Sequence, residues 1–135
     1  MSNLIQPSVF LRRELLADAL GTTATAAAML LVTADLQAWL GLPAGLLTAT
    51  GLALFPYVAY LLWLATRAAA PSAAVWLPIG LNIMWAADCA LAMFFGGASP
   101  TPLGEAVLGM QVLASLVLAE LEFIGLRKLC AIVAA

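Results

Sequence analysis

The residues of this chain that could do chemistry are a few acids placed inside otherwise apolar segments. The chain has 135 residues, of which 65% are hydrophobic and 9% are charged. An acid in such a segment is costly unless it is protonated, binds a cation or is reached by water, so each one is a candidate proton or cation site. Three acids fit this description: Asp18, Asp88 and Glu122.

The three acids differ in predicted depth. Asp88 is expected about 11 to 12 residues into its helix, or about 17 Å at 1.5 Å per residue, where no basic residue is predicted. Asp18 is expected about two turns inside its helix and Glu122 one to two turns from Arg127, so both could pair with arginines near the membrane surface. Two roles for Asp88 therefore remain open: a structural hydrogen bond, or the binding of a proton or cation.

Further polar side chains recur at helical spacing around these acids and form three faces. Thr22 and Thr25 share the face of Asp18, Asn82 and Trp85 share that of Asp88, and Gln111 and Ser115 share that of Glu122. Lipid cannot hydrogen-bond such groups, so we expect the faces to turn inward as a polar core. Interhelical hydrogen bonding alone would also explain them.

The composition excludes several classes of protein. The chain has no His, which rules out haem ligation through His, zinc sites that contain His, and Ser-His-Asp triads. The two cysteines, Cys89 and Cys130, lie in apolar surroundings and are interpreted as packing residues. A net charge of −2 provides no basic patch for nucleic acid. We therefore predict no enzyme, no metal site and no other cofactor.

Hydropathy predicts the fold class. The mean hydropathy is +1.10, and a soluble domain would carry far more charge, roughly a quarter of its residues. Because a span takes about 20 apolar residues, the pattern predicts an all-α polytopic membrane protein, a single four-helix up-down bundle in the lipid bilayer. The predicted helices cover about residues 9–40, 44–68, 74–95 and 103–128, separated by Gly- and Pro-containing breakers, of which 96–102 is the clearest.

The basic residues predict the orientation of the bundle. With four spans, all five fall on one side of the membrane: Arg12, Arg13, Arg67, Arg127 and Lys128. The positive-inside rule places that side, with both termini, in the cytoplasm. The apolar run after Arg13 is too long for the h-region of a signal peptide and is interpreted as a retained first helix.

Several short stretches along the chain together resemble a known class of proteins. These stretches are the following: Leu11-Arg12-Arg13 before a helix with Asp18, Leu40-Gly41-Leu42-Pro43 at the first turn, the spacing Asn82-x-x-Trp85-x-x-Asp88, and Ala119-Glu120-Leu121-Glu122 before Leu126-Arg127. Taken together they resemble small, uncharacterised four-helix proteins of the bacterial inner membrane. The resemblance implies that location and assigns no activity.

A shorter stretch, Leu16-Ala17-Asp18-Ala19-Leu20-Gly21-Thr22-Thr23, is similar to the first helix of small multidrug resistance transporters. Trp85 is loosely similar to a tryptophan on the third helix of that family. An acid of the family binds protons and cationic drugs in exchange, and the resemblance implies that role for Asp18.

Two functions remain open from the sequence. The first is an accessory, assembly or oligomerising subunit, packed on further copies of itself or on a larger membrane protein. The short loops favour it, and so do two ridges of small residues, Ala17-Gly21-Thr25 and Ala86-Ala90. The alternative is a small proton- or cation-coupled transporter or channel that uses the intramembrane carboxylates. A cavity that reaches Asp18 or Asp88 would favour the alternative.

Overall fold

The computed structural model describes residues 4–95 and 99–134 of the chain. These residues form five helices, and four of them are long and apolar enough to cross a membrane: α1 (Val9–Leu31), α3 (Ala44–Thr66), α4 (Ala73–Phe94) and α5 (Pro102–Ala134). The short α2 (Thr33–Leu40) follows α1, and the strands β1 (Leu4–Ile5) and β2 (Ala70–Pro71) form one antiparallel pair. The prediction of an all-α bundle with four candidate membrane spans is confirmed.

The four long helices pack as two tight pairs. Helix α1 packs along α3, and α4 packs along α5. The pairs meet mainly through α1 and α5, whereas α3 and α4 make little contact. In cross-section the order is therefore α3, α1, α5, α4, which leaves a groove between α3 and α4.

The first predicted helix, residues 9–40, is two helices instead of one. The break lies at Val32, whose backbone has φ −126° and ψ 38°. The hydroxyl of Thr33 donates to the carbonyl oxygens of Met29 at 2.5 Å and Leu30 at 3.4 Å. A hydroxyl that bonds back to the preceding turn competes with the helical ladder and bends it. Helix α2 then packs against α5 and α3.

One end of the bundle is tied together by Arg12. Its guanidinium donates to the carbonyl oxygens of Ala65 at 2.6 Å, Arg67 at 2.7 Å and Pro7 at 3.1 Å. The last carbonyls of a helix have no donor within the helix, so Arg12 supplies donors where α3 ends. Beside it the β1–β2 pair crosses the bundle end and buries Ile5.

The opposite end is tied together by Thr101. Its N–H donates to the carbonyl oxygen of Leu40 at 3.0 Å, and its hydroxyl donates to that of Trp39. The same hydroxyl accepts the N–H of Gly104 at 3.1 Å and so caps the start of α5. Of the predicted breaker at 96–102, residues 96–98 lie outside the described residues, and 99–101 are not helical.

Candidate functional site

Two acids lie in the interior of the bundle, one on each of the two central helices. Asp18 of α1 is 2% exposed and Glu122 of α5 is 0% exposed. Asp18 lies nine residues after Val9, or about 14 Å along α1. Because α1 has 23 residues, this position is close to the middle of the span. The side chain of Asn82 reaches both acids, so Glu122 lies at a similar depth, where an unpaired charge is most costly.

Three hydrogen-bond donors converge on the carboxylate of Asp18. The hydroxyl of Tyr57 lies 2.6 Å from Oδ2, and Nδ2 of Asn82 lies 2.9 Å from the same oxygen. The hydroxyl of Thr22 donates to Oδ1 at 2.9 Å. The donors come from α1, α3 and α4, so Asp18 joins three spans through one carboxylate.

Asn82 also connects the two acids. Its Nδ2 lies 3.4 Å from Oε2 of Glu122 and 3.3 Å from the hydroxyl oxygen of Tyr57. The other carboxylate oxygen of Glu122, Oε1, is buried and has no hydrogen-bond partner among the described residues. We call Asp18, Tyr57, Asn82 and Glu122 the acid cluster.

The partners of the acid cluster differ from the sequence prediction. Asp18 and Glu122 were expected to pair with arginines near the membrane surface. Their carboxylates bond to Thr22, Tyr57 and Asn82 instead, while Arg12 bonds to backbone carbonyls. Two ionised carboxylates in a low dielectric repel each other, so the cluster is suited to hold one proton or one small cation between them.

A groove of about 710 Å³ lies beside the acid cluster, with α3 and α4 as its walls. It is lined by most of the polar residues singled out in the sequence: Asp18, Thr22, Thr25, Asn82, Trp85, Asp88, Gln111 and Ser115. A second cavity of about 340 Å³ shares Trp85, Asp88 and Gln111 with it. No Arg or Lys is among the described residues that line either space. The polar groups of this mostly apolar lining therefore include acids and no described basic residue.

Asp88 is not the deepest acid. It is exposed into both cavities and lies fifteen residues after Ala73 and six before Phe94, or about 9 Å from the end of α4. The sequence prediction placed it 11 to 12 residues into the helix, close to the middle of the bilayer. Its carboxyl is thus part of the groove wall and lies outside the acid cluster.

The remaining predicted polar residues lie outside the acid cluster. Trp85 donates from Nε1 to Oε1 of Gln111 at 3.3 Å and so joins α4 to α5. Ser115 is buried at the floor of the groove. The hydroxyl of Thr25 donates to the carbonyl oxygen of Gly21 at 2.9 Å, within α1. Only Asp18, Thr22, Asn82 and Glu122 of the predicted set meet in one hydrogen-bonded network.

Tyr57 is the residue that the sequence prediction missed. It lies on α3, for which no polar face was predicted, in an apolar helix interrupted by Pro56. A usable signal existed, because Tyr57 lies nine residues before the end of α3, as Asp18 lies nine residues after the start of α1. Adjacent antiparallel spans bring such positions to the same depth.

Within the described residues, no group of three or more His, Cys, Asp or Glu side chains is placed to hold a metal ion. Both cysteines are free thiols. No protein-family model, curated protein or solved structure matches the chain. Function is therefore inferred from the geometry of the acid cluster and its groove.

Proposed function

We propose that this chain is a small membrane transporter or channel coupled to a proton or small cation, which binds at Asp18 and Glu122. One observation carries the proposal: two buried acids on neighbouring spans are joined by the amide of Asn82. Such a pair changes its charge when it gains or loses one ion. An ion-coupled carrier needs a site of this kind inside the membrane.

The groove supplies access to the acid cluster. Asp18, Tyr57 and Asn82 all line it, so an ion in the groove lies next to the cluster, while Glu122 lies behind them. Asp88 adds a second acid on the same route. A groove with acids and no basic residue among its described lining favours protons and cations over anions.

For the location of the protein we propose the bacterial inner membrane, with both termini in the cytoplasm. All five basic residues lie toward the bundle end that holds the N-terminus, which supports this orientation. Arg12 and Arg13 are in the first turns of α1, Arg67 directly follows α3, and Arg127 and Lys128 are in the last turns of α5. Reporter fusions after Ala70 and at the C-terminus should be active as cytoplasmic reporters, and a fusion at Pro100 as an external one. A periplasmic C-terminus would contradict this orientation.

A subunit role is the second candidate, because the groove between α3 and α4 is left open by the fold. A helix of another copy or of a larger membrane protein could cover it. Purification of the full chain in mild detergent, with its mass measured, tests this candidate. A defined oligomer or a stoichiometric partner supports the subunit role, and a monomer contradicts it.

Proton flux into vesicles tests the transport proposal. The wild-type chain, reconstituted into lipid vesicles that contain a pH-sensitive dye, should conduct protons when a membrane potential is imposed, and a parallel assay should follow sodium. Glu122→Gln and Asp18→Asn keep the side-chain shapes but cannot ionise, so each should abolish the flux. Asp35→Asn is the matched control, because Asp35 lies exposed on α2, outside both cavities.

Loss of flux in the two cluster variants, with normal flux in Asp35→Asn, would support the proposal. Flux that persists in both cluster variants would overturn it. Absence of any wild-type flux of proton or sodium would also count against it.

A further inference from the structure

We propose that the acid cluster takes a proton and rejects metal ions, and that the amide of Asn82 sets this selectivity. The inference rests on the proposed function and narrows it to one ion. It follows from the atoms that face the two carboxylates and from Oε1 of Glu122, which has no hydrogen-bond partner among the described residues.

The first step concerns the oxygens of Asp18. A metal ion needs several oxygen lone pairs directed at it; calcium takes about six to eight at roughly 2.3 to 2.6 Å. Oδ2 of Asp18 already accepts hydrogen bonds from Tyr57 and Asn82, and Oδ1 accepts one from Thr22. These donors compensate a negative charge on Asp18 and leave little lone-pair capacity for a metal.

The second step concerns the place between the two acids. An ion bridging the acids would have to lie where Nδ2 of Asn82 lies, 2.9 Å from Asp18 and 3.4 Å from Glu122. An amide nitrogen carries hydrogens and has no free lone pair for a metal. If the amide were turned over, its oxygen would face two carboxylates and the hydrogen bonds would be lost. The acids therefore fix the amide in the orientation that excludes a metal.

The third step concerns Glu122. Its Oε1 is fully buried and lacks a hydrogen-bond partner within the described part of the chain. A single free oxygen is too few for a metal ion but is enough for a proton. Glu122 is thus the member of the cluster that carries the proton, and Asp18 is the member held as the anion by its three donors.

One substitution should reverse the selectivity. Asn82→Asp replaces the amide donor with an oxygen and gives three carboxylates around the hydroxyl of Tyr57. Carboxylate and hydroxyl oxygens are the ligands that hard cations prefer. The variant should therefore bind Mn²⁺, whereas the wild-type chain should not.

Two measurements on the full chain in detergent test the inference. Infrared spectroscopy of the wild type should show the carbonyl band of a buried protonated carboxylic acid, absent in Glu122→Gln and unchanged by Na⁺, Li⁺ or Mn²⁺. Electron paramagnetic resonance should show Mn²⁺ bound by Asn82→Asp at least about tenfold more tightly than by the wild type. The double variant with Glu122→Gln should lose that binding, because it lacks the third carboxylate.

The infrared measurement on the wild-type chain does not depend on the folding of any Asn82 variant. If Na⁺ or Mn²⁺ removes the carboxylic acid band, or if a folded Asn82→Asp chain gains no Mn²⁺ binding, the selectivity inference is overturned. Vesicle flux of sodium in place of protons, still abolished by Glu122→Gln, would overturn it while leaving the proposed function standing. If the flux in Glu122→Gln equals that of the wild-type chain, the proposed function itself is contradicted.

Discussion

The hydroxyl of Tyr60 donates a hydrogen bond of 2.7 Å to the carbonyl oxygen of Ala74. Pro78 lies four residues after Ala74 in α4 and has no N–H, so this carbonyl has lost its usual helical donor. Tyr60 supplies the missing donor from α3. The bond joins the two walls of the groove at one end, where α3 and α4 otherwise make little contact.

Tyr60→Phe should lower the free energy of unfolding by about 1 kcal/mol, the size of a typical interhelical hydrogen bond in a membrane protein. In a Pro78→Ala background the loss should be smaller, because residue 78 regains an N–H that can donate to Ala74. The free energy of unfolding in mixed micelles, measured for the wild type, the two single variants and the double variant, gives the loss in each background. Equal losses in the two backgrounds would show that Pro78 does not create the need for Tyr60.

Arg12 and Arg13 are neighbours with different roles. Arg12 makes three hydrogen bonds to backbone carbonyls, while Arg13 is exposed. Arg12→Lys keeps the charge but cannot reproduce the planar donor pattern, so it should cost roughly 1 to 3 kcal/mol of stability. Arg13→Lys should cost less than about 0.5 kcal/mol. Thermal unfolding in detergent compares them, and equal effects would contradict the role of Arg12.

The helices could be predicted from the sequence, because apolar composition and breakers determine where spans begin and end. The break at Val32 could not. Thr33 donates to the carbonyl oxygen four residues earlier, and Thr25 makes the same bond inside α1 without breaking the helix, so a threonine in the sequence does not mark a break. The bonds from Arg12 to the end of α3 could not be predicted either. The distribution of basic residues predicts on which side of the membrane Arg12 lies, but not which groups it bonds to.

Gly104 and Gly109 form a matched pair on α5. A Cβ on Gly104 would clash with the carbonyl oxygen of Leu40, whereas one on Gly109 would meet nothing within 4 Å. Gly104→Ala should therefore destabilise the fold by about 1 to 3 kcal/mol, as overpacking does. Gly109→Ala should be neutral or slightly stabilising, because Ala is the better helix former. The same unfolding assay tests both, and a tolerated Gly104→Ala would contradict the close approach of α2 and α5.

The candidate site was only partly predictable. Helical spacing placed Asp18 and Thr22 on one face, and both belong to the network of the acid cluster. Tyr57 lies on a helix without a polar face, and its role depends on the packing of α1 against α3. Spacing within one helix carries no information about such a contact, because it depends on matching the depths of two antiparallel spans, as for Tyr57 and Asp18.

Asp88 differs from the two cluster acids in its surroundings. It is exposed into the groove, near the end of α4, whereas Asp18 and Glu122 are buried near mid-depth. Replacing an exposed acid with its neutral isostere removes no buried contact. Asp88→Asn should therefore change the free energy of unfolding by less than about 1 kcal/mol.

The effect of Asp88→Asn on flux separates two uses of this acid. If Asp88 only lines the groove, proton flux in vesicles should persist at a reduced rate, because an acid on the entry route raises the local proton concentration. If Asp88 itself carries the ion, expression should stay normal and flux should be abolished, as in Glu122→Gln. A chain that fails to fold with Asp88→Asn would contradict both uses, since it would require an ionic partner for Asp88.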